Sequence, residues 1–184
     1  MEEGRVYRRE ELSAISKSVD RDLKQLLTDK RVERAAPGLY YRPKMSKFGG
    51  LSPTSTELVR AFLKTDDFLL TTTNVFNGLG VGLTQLSTEY VVYNRKRVGR
   101  FKLGGLTYYF QRPPNFPKKN EVTEEYLFVD LLNNYDRLPD PPDTLWNSLK
   151  RRAKEFPYQN LLRLSQTYGK ASARKLLREL TANG

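Results

Sequence analysis

Cysteine and histidine are both absent from the 184 residues. Their absence excludes a thiol nucleophile, a disulfide, a zinc site of the usual Cys/His kind and a Ser-His triad. No apolar run approaches the roughly 20 residues that a membrane-spanning helix needs. The opening stretch MEEGRVYRREEL lacks the apolar centre of a signal peptide. The expectation is a cytoplasmic protein with no membrane partner and no cofactor.

Acids are scarce in some stretches and concentrated in others. Residues 94–119 hold eight lysines and arginines and no acid, whereas residues 120–145 hold seven acids and one arginine. The net charge is +11. Positive charge gathered in separate blocks is the footprint of a nucleic-acid binder, although an ordinary basic protein shares it. A hydrophobic share of 38% supports a core of modest size, and the length suits one large domain or two small ones.

The first compact unit is VYRREELSAISKSVDRDLKQLLTDKRVERAAPGLYYRP. Arg9 to Ile15 reads as a short helix with Leu12 and Ile15 on its apolar face. Ser16 or Ser18 can cap a second helix, in which Val19, Leu23, Leu26 and Leu27 fall at i, i+4, i+7 and i+8. At about 100° per residue, Lys17, Arg21, Lys24 and Thr28 share the opposite face, with Asp20 and Asp22 on the flanks. After Lys30 the pattern changes. Val32 to Arg34 and Leu39 to Arg42 read as strands joined by a turn containing Pro37-Gly38. Helix, turn, helix and hairpin is the order of a winged helix-turn-helix. Pro43, Lys44, Lys47 and Gly49-Gly50 read as a boundary, dividing the chain into 1–48 and 51–184.

In the second part, Ser52 and Pro53 are expected to open a helix whose inner stripe is Leu58, Val59, Phe62 and Leu63. A strand at 68–73 follows, then a glycine-punctuated loop, NVFNGLGVGLTQ. Three more strands fall at 88–94, 100–103 and 106–110. TEEYLFVDLLNN reads as a helix capped by Thr123, with Glu124 and Glu125 where the helix dipole favours acids. A helical tail closes the chain. The fold class expected is α+β: the winged unit, then a mixed domain with a short antiparallel sheet and C-terminal helices.

A helix of this kind fits the major groove, where Arg and Lys reach guanine edges and phosphates. Lys17, Ser18, Arg21, Lys24, Gln25 and Thr28 are therefore the candidates for reading double-stranded DNA. Arg34 and Arg42 are candidates for flanking phosphates. One ring of Tyr40-Tyr41 is expected to pack inward. GLGVGLTQ lacks the P-loop lysine and the GxGxxG spacing, so it reads as a structural turn. Arg95, Lys96, Arg97 and Arg100 in NRKRVGR form a second cationic patch, suited to nucleic-acid backbone or an acidic protein surface. Glu124, Glu125 and Asp130 are the acids that a metal-dependent nuclease would need. The first and last of these diverge on a helix. In the tail, Lys170, Arg174, Lys175 and Arg178 line one helix, which reads more readily as a closing helical hairpin than as a second DNA-contacting element.

VDRDLKQLLTDKRVERAAPGLYYRP resembles the winged-helix segment of AbiEi-type antitoxins from bacterial type IV toxin–antitoxin, or abortive infection, systems. NGLGVGLTQ, YVVYNRKRVGRFKLGG and EEYLFVDLLNN resemble the second domain of that family, so the likeness covers most of the chain. The resemblance implies a non-catalytic, DNA-binding antitoxin that represses its own operon. Its functional partner would be a nucleotidyltransferase toxin, opposed without a tight neutralising complex. The DNA-reading helix would fall on Lys17 to Asp29 and the wing on Val32 to Arg42. Residues 51–184 would carry the antitoxin function, with NRKRVGR as its surface. The chain departs from the winged-helix pattern in one respect: only about eight residues precede Arg9, too few for the helix that usually closes such a domain. Either the second part supplies that packing, or the unit is incomplete.

Overall fold

The structure, a computed structural model, describes residues 1–47, 49–83, 86–138 and 142–182. Its first part runs β1 (Val6–Arg8), α1 (Arg9–Ser13), α2 (Val19–Thr28), β2 (Glu33–Ala36) and β3 (Leu39–Tyr41). The three strands form an antiparallel sheet in the order β1-β3-β2. Tyr7, Leu12, Val19, Leu23 and Val32 form a small core beneath the two helices. Helix α1 ends earlier than its apolar pattern suggests, and Ile15 is 75% exposed rather than paired with Leu12.

The expected boundary near residues 43–50 contains a second hairpin, β4 (Lys44–Ser46) with β5 (Gly49–Leu51). Helix α3 (Ser55–Leu63) follows. Thr54, not Ser52, caps it, and its hydroxyl accepts from the backbone N–H of Glu57 at 3.2 Å. Ser and Thr both suit this role, but Thr54 with Glu57 has the spacing that serves both ends of the first turn.

The second sheet contains β6 (Phe68–Thr72), β7 (Tyr90–Asn94), β8 (Gly99–Leu103) and β9 (Leu106–Gln111), in the order β6-β7-β9-β8. It is mixed rather than antiparallel, because β9 turns back at Gly104-Gly105 and inserts between β7 and β8, parallel to β7. Both glycines have positive φ. The Asn94 side chain holds the link that passes over the end of β9. Its Nδ2 donates to the carbonyls of Val92, Arg97 and Gln111, and its Oδ1 accepts from the N–H groups of Lys96 and Arg97.

Helix α4 (Glu124–Asn133) lies between this sheet and the closing helices α5 (Pro142–Ala153), α6 (Tyr158–Tyr168) and α7 (Ala171–Thr181). Thr123 caps it as expected, accepting from Tyr126 N–H at 3.2 Å. Phe128, Leu131 and Leu132 join Leu149, Leu161 and Leu177 in the helical core. The 3-10 segment Thr73–Leu79 adds Phe76 and Leu79 to that core, which gives NVFNGLGVGLTQ a structural role; its Thr84 and Gln85 lie outside the described residues. Helices α6 and α7 pack onto this core through Leu161, Leu164, Ala173 and Leu180, as a closing hairpin does. Among the described residues, no helix is long and apolar enough to cross a membrane.

A further core crosses the division at residues 48–51. Val6, Ala35, Ala36, Leu39 and Tyr41 pack with Leu58, Val59 and Leu63 of α3 and with Val92, Tyr108 and Phe110 of the second sheet. Helix α3 thus supplies apolar packing to the first sheet. Arg8 fixes the seam: its Nε and Nη2 donate to the carbonyls of Ala61 and Phe62, each at 2.7 Å. Those carbonyls lie at the C-terminal end of α3, where the helix leaves acceptors unpaired and favours a cation. Hydrogen bonds to charged groups contribute about 1.5–3 kcal/mol. Arg8→Ala is therefore expected to lower unfolding stability by roughly that amount, read as a shift in urea midpoint, while Arg5→Ala at an exposed position leaves it within about 0.5 kcal/mol.

Candidate nucleic-acid interface

Helix α2 buries Val19 and Leu23 and turns Arg21, Lys24, Gln25 and Thr28 to solvent; just before it Lys17 is exposed and Ser18 half-buried. The two acids of its first turns are engaged elsewhere. Asp20 accepts from Nε and Nη2 of Arg9 at 2.7 and 2.5 Å, and Asp22 accepts from the Ser16 hydroxyl at 2.5 Å. The Arg9 guanidinium holds the Asp20 carboxyl below its ordinary value, mainly through the hydrogen bond. Lys17, Arg21 and Lys24 have no acidic partner among the described residues. Arg21 reaches only the Ser18 hydroxyl, at 3.4 Å, and the Thr28 hydroxyl donates back to the Lys24 carbonyl. Of the residues expected on this face, Arg21, Lys24 and Thr28 are exposed on α2 together with Gln25, while Lys17 and Ser18 lie just before the helix.

The β2–β3 hairpin, the expected wing, does not project as a free flap. Its turn lies level with the end of β1, where the Gly38 carbonyl accepts from Arg9 N–H at 3.0 Å. The Ala35 carbonyl accepts from Gly104 N–H of the second sheet at 2.8 Å. Arg34 is exposed and unpaired among the described residues, whereas Arg42 pairs with Glu3 at 3.0 Å. Tyr41 is the inward ring of the tyrosine pair, with its hydroxyl bonded to Glu33, and Tyr40 is half-buried.

The exposed hairpin is β4–β5. Lys44, Met45 and Lys47 all face solvent, Met45 at 70%, and neither lysine has an acidic partner among the described residues. Chain order sets its position. The chain enters β2 from α2 at Glu33, opposite Tyr41, and leaves β3 there for β4. The C-terminal end of α2 and the base of β4–β5 are therefore at the same end of the first sheet. The Gly49-Gly50 pair among lysines was the available signal, and it reads equally well as a linker.

The NRKRVGR patch is largely satisfied within the molecule. Arg95 pairs with Asp67 at 3.1 Å, and Arg100 bonds Glu89 at 2.7 Å while stacking over Tyr109. Lys96 Nζ donates to the carbonyls of Leu63 and Lys64 at the end of α3, and Arg97 covers the Phe62 ring. Charge density in the sequence therefore overstates the charge this turn can offer a polyanion.

The three acids considered for a metal do not converge. Glu124 is exposed and pairs with Arg152 at 2.6 Å, while Asp130 is 3% exposed at the back of α4. Among the described residues, no group of three His, Cys, Asp or Glu gathers as a metal site. Asp130 instead accepts from the Tyr93 hydroxyl at 2.8 and 3.0 Å, and Asn134 Nδ2 donates to that hydroxyl at 3.2 Å. Sequence reading passed over this cluster, although an acid inside the apolar run YLFVDLL was its signal.

Burial pushes the Asp130 carboxyl from 3.8 up to about 6, against the lowering effect of the Tyr93 hydrogen bond. The folded chain then holds this proton more tightly than the unfolded one. The resulting stability is fully present below pH 4 and is lost as pH rises through 6. Two pH units correspond to about 3 kcal/mol. Asp130→Asn is expected to remove this slope, so that its stability relative to the native chain improves by that order between pH 4 and 7.5, as measured by urea unfolding at both pH values.

Comparison places the fold first. A crystal structure of the Rv2827c protein from Mycobacterium tuberculosis matches with a TM-score of 0.56 and 16% identity, over 97% of this chain and 71% of that one. At that identity the likeness concerns the fold alone, a mixed arrangement of helices and small sheets consistent with α+β. No curated protein matches the chain. A family model matches residues 10–129: the chain belongs to DUF6088, a family of unknown function.

Proposed function

We propose that the chain is a double-stranded-DNA-binding regulator whose α2 enters the major groove, and that β1 to β3 with α1 and α2 act as a winged helix-turn-helix. The observation that carries this reading is the face of α2. Arg21 and Lys24 stand on it, and Lys17 just before it, without an acidic partner among the described residues, while both acids of the first turns are tied to Arg9 and Ser16. Gln25 and Thr28 add side chains able to meet base edges. Arg34 supplies phosphate affinity, and Arg42 adds to it on leaving Glu3. The mechanism is non-catalytic: phosphate contacts set affinity and register, and α2 reads sequence.

The resemblance to AbiEi-type antitoxins extends the reading to an autorepressor of a toxin–antitoxin operon, paired with a nucleotidyltransferase toxin. Arg95, Lys96, Arg97 and Arg100 are weaker candidates for the antitoxin surface than their density suggests, because each already has an internal partner.

The test is a mobility-shift titration on the DNA upstream of its own gene against random DNA at several salt concentrations. Arg21→Ala is expected to cost about 1–3 kcal/mol on the specific site and far less on random DNA. Arg34→Ala is expected to weaken binding to both and to flatten the salt dependence by about one unit of slope. No shift at low salt, or equal losses on both DNAs for Arg21→Ala, would overturn the reading.

A further inference from the structure

A second, separate site lies where β7, β9 and the Pro113-Pro114 loop meet α4 and the end of α6. It is a cleft of about 250 Å³, smaller than the roughly 300–1,000 Å³ of sites for drug-sized ligands. Its size suits one heteroaromatic ring system. Four tyrosines line it, Tyr93, Tyr109, Tyr126 and Tyr168, with Tyr126 and Tyr168 edge to face at 5.2 Å. Arg112 and Lys170 also line it, and both are exposed. Lys170 is anchored through Nζ to the Asn133 carbonyl at 3.0 Å, and Arg112 has no partner among the described residues.

Two buried polar groups in the lining are under-used. An ionised carboxylate offers about four acceptor positions. Asp130 accepts one shared O–H from Tyr93, a side-chain hydrogen bond from Asn133 and a long contact from Asn134 Nδ2 at 3.4 Å, which leaves one open position and that weak contact for a ligand to use. Gln111 is 9% exposed, and its Nε2 has no hydrogen-bond partner among the described residues. Buried polar groups are normally paired, and exceptions call for a reason. The cleft therefore presents a carboxylate with acceptor capacity left over, an unfilled donor, aromatic walls and cationic side chains at its rim.

We propose that this cleft binds the guanine base of a nucleotide, with Asp130 accepting from its N–H edge, Gln111 donating to its carbonyl, and Arg112 and Lys170 meeting the phosphate. Guanine alone among the common bases offers two adjacent N–H donors beside a carbonyl acceptor. Adenine and cytosine would turn a ring-nitrogen acceptor toward the carboxylate, which repels it. The half-buried Tyr168 ring supplies stacking surface of the kind that base-binding proteins use, while Tyr93 and Tyr126 are buried behind it and Tyr109 carries Arg100 and Arg137 over its ring. A carboxylate among aromatic rings also suits an organic cation, but two cationic side chains at the rim and an unpaired donor inside oppose one. The inference is independent of α2 and of the DNA reading.

The base can come from a free nucleotide or from the end of a strand, and calorimetric titration of the full chain at pH 7.5 distinguishes the sources. The probes are guanosine, GMP, AMP, CMP and a single-stranded hexanucleotide ending in guanine, with arginine amide as the cation control. GMP or the hexanucleotide is expected to bind saturably, with GMP at least tenfold tighter than AMP or CMP; the tighter of the two guanine probes identifies the source. Asp130→Asn is expected to remove the preference for guanine, with near-ultraviolet circular dichroism checking that the fold is kept. Exposed Arg112→Ala, at no risk to the core, is expected to weaken GMP severalfold and leave guanosine unchanged. No saturable binding of either guanine probe at millimolar concentration would overturn the proposal. Equal affinity for GMP, AMP and CMP, or tighter binding of arginine amide than of GMP, would overturn it as well.

Discussion

Leu58, Val59 and Leu63 project from a helix of nine residues, and none is more than 2% exposed. They touch strands on both sides of the division at residues 48–51. At about 25 cal/mol per Å² of apolar surface removed from water, a buried leucine or valine contributes about 1.5–3 kcal/mol. Those contributions are shared between the two sheets, so neither part retains its inner surface without the other. The Arg8 guanidinium on the last carbonyls of α3 adds direction to an attraction that has none of its own. The docked β2–β3 turn belongs to this seam.

The seam supplies the apolar support behind the first sheet. That support comes from residues downstream. Gly104 is part of the same fit: its backbone N–H bonds Ala35, and a Cβ at this position would lie 3.0 Å from Leu58 Cδ1. The close approach requires the glycine's lack of a side chain as well as its positive φ.

Periodicity made some of this legible. The stripe of Val19 and Leu23 against Lys17, Arg21 and Lys24 identified both faces of α2, because a helix repeats every 3.6 residues whatever it packs against. Thr123 marked the start of α4 for similarly local reasons. Non-local features were not legible. The insertion of β9 between β7 and β8 depends on pairing across 15–20 residues, and an antiparallel order satisfies the same alternation of side chains. Nor does a run of arginines reveal how many acids and carbonyls will surround it, so Arg95, Lys96 and Arg100 looked freer in sequence than they are in space. Asp130 was visible as an acid in an apolar run, but its value as a site depends on Tyr93 and Gln111, which arrive from other strands.

The two hairpins of the first part differ in what holds their turns. At Pro37-Gly38 the nearby carbonyls are already committed, one to α1 and one to the second sheet. An added residue there would disturb both contacts. On β4–β5, Lys44, Met45 and Lys47 stand in solvent, and neither lysine has an acidic partner among the described residues. Exchanging those three side chains leaves the buried cores untouched, so this edge can change what it touches without changing what it packs.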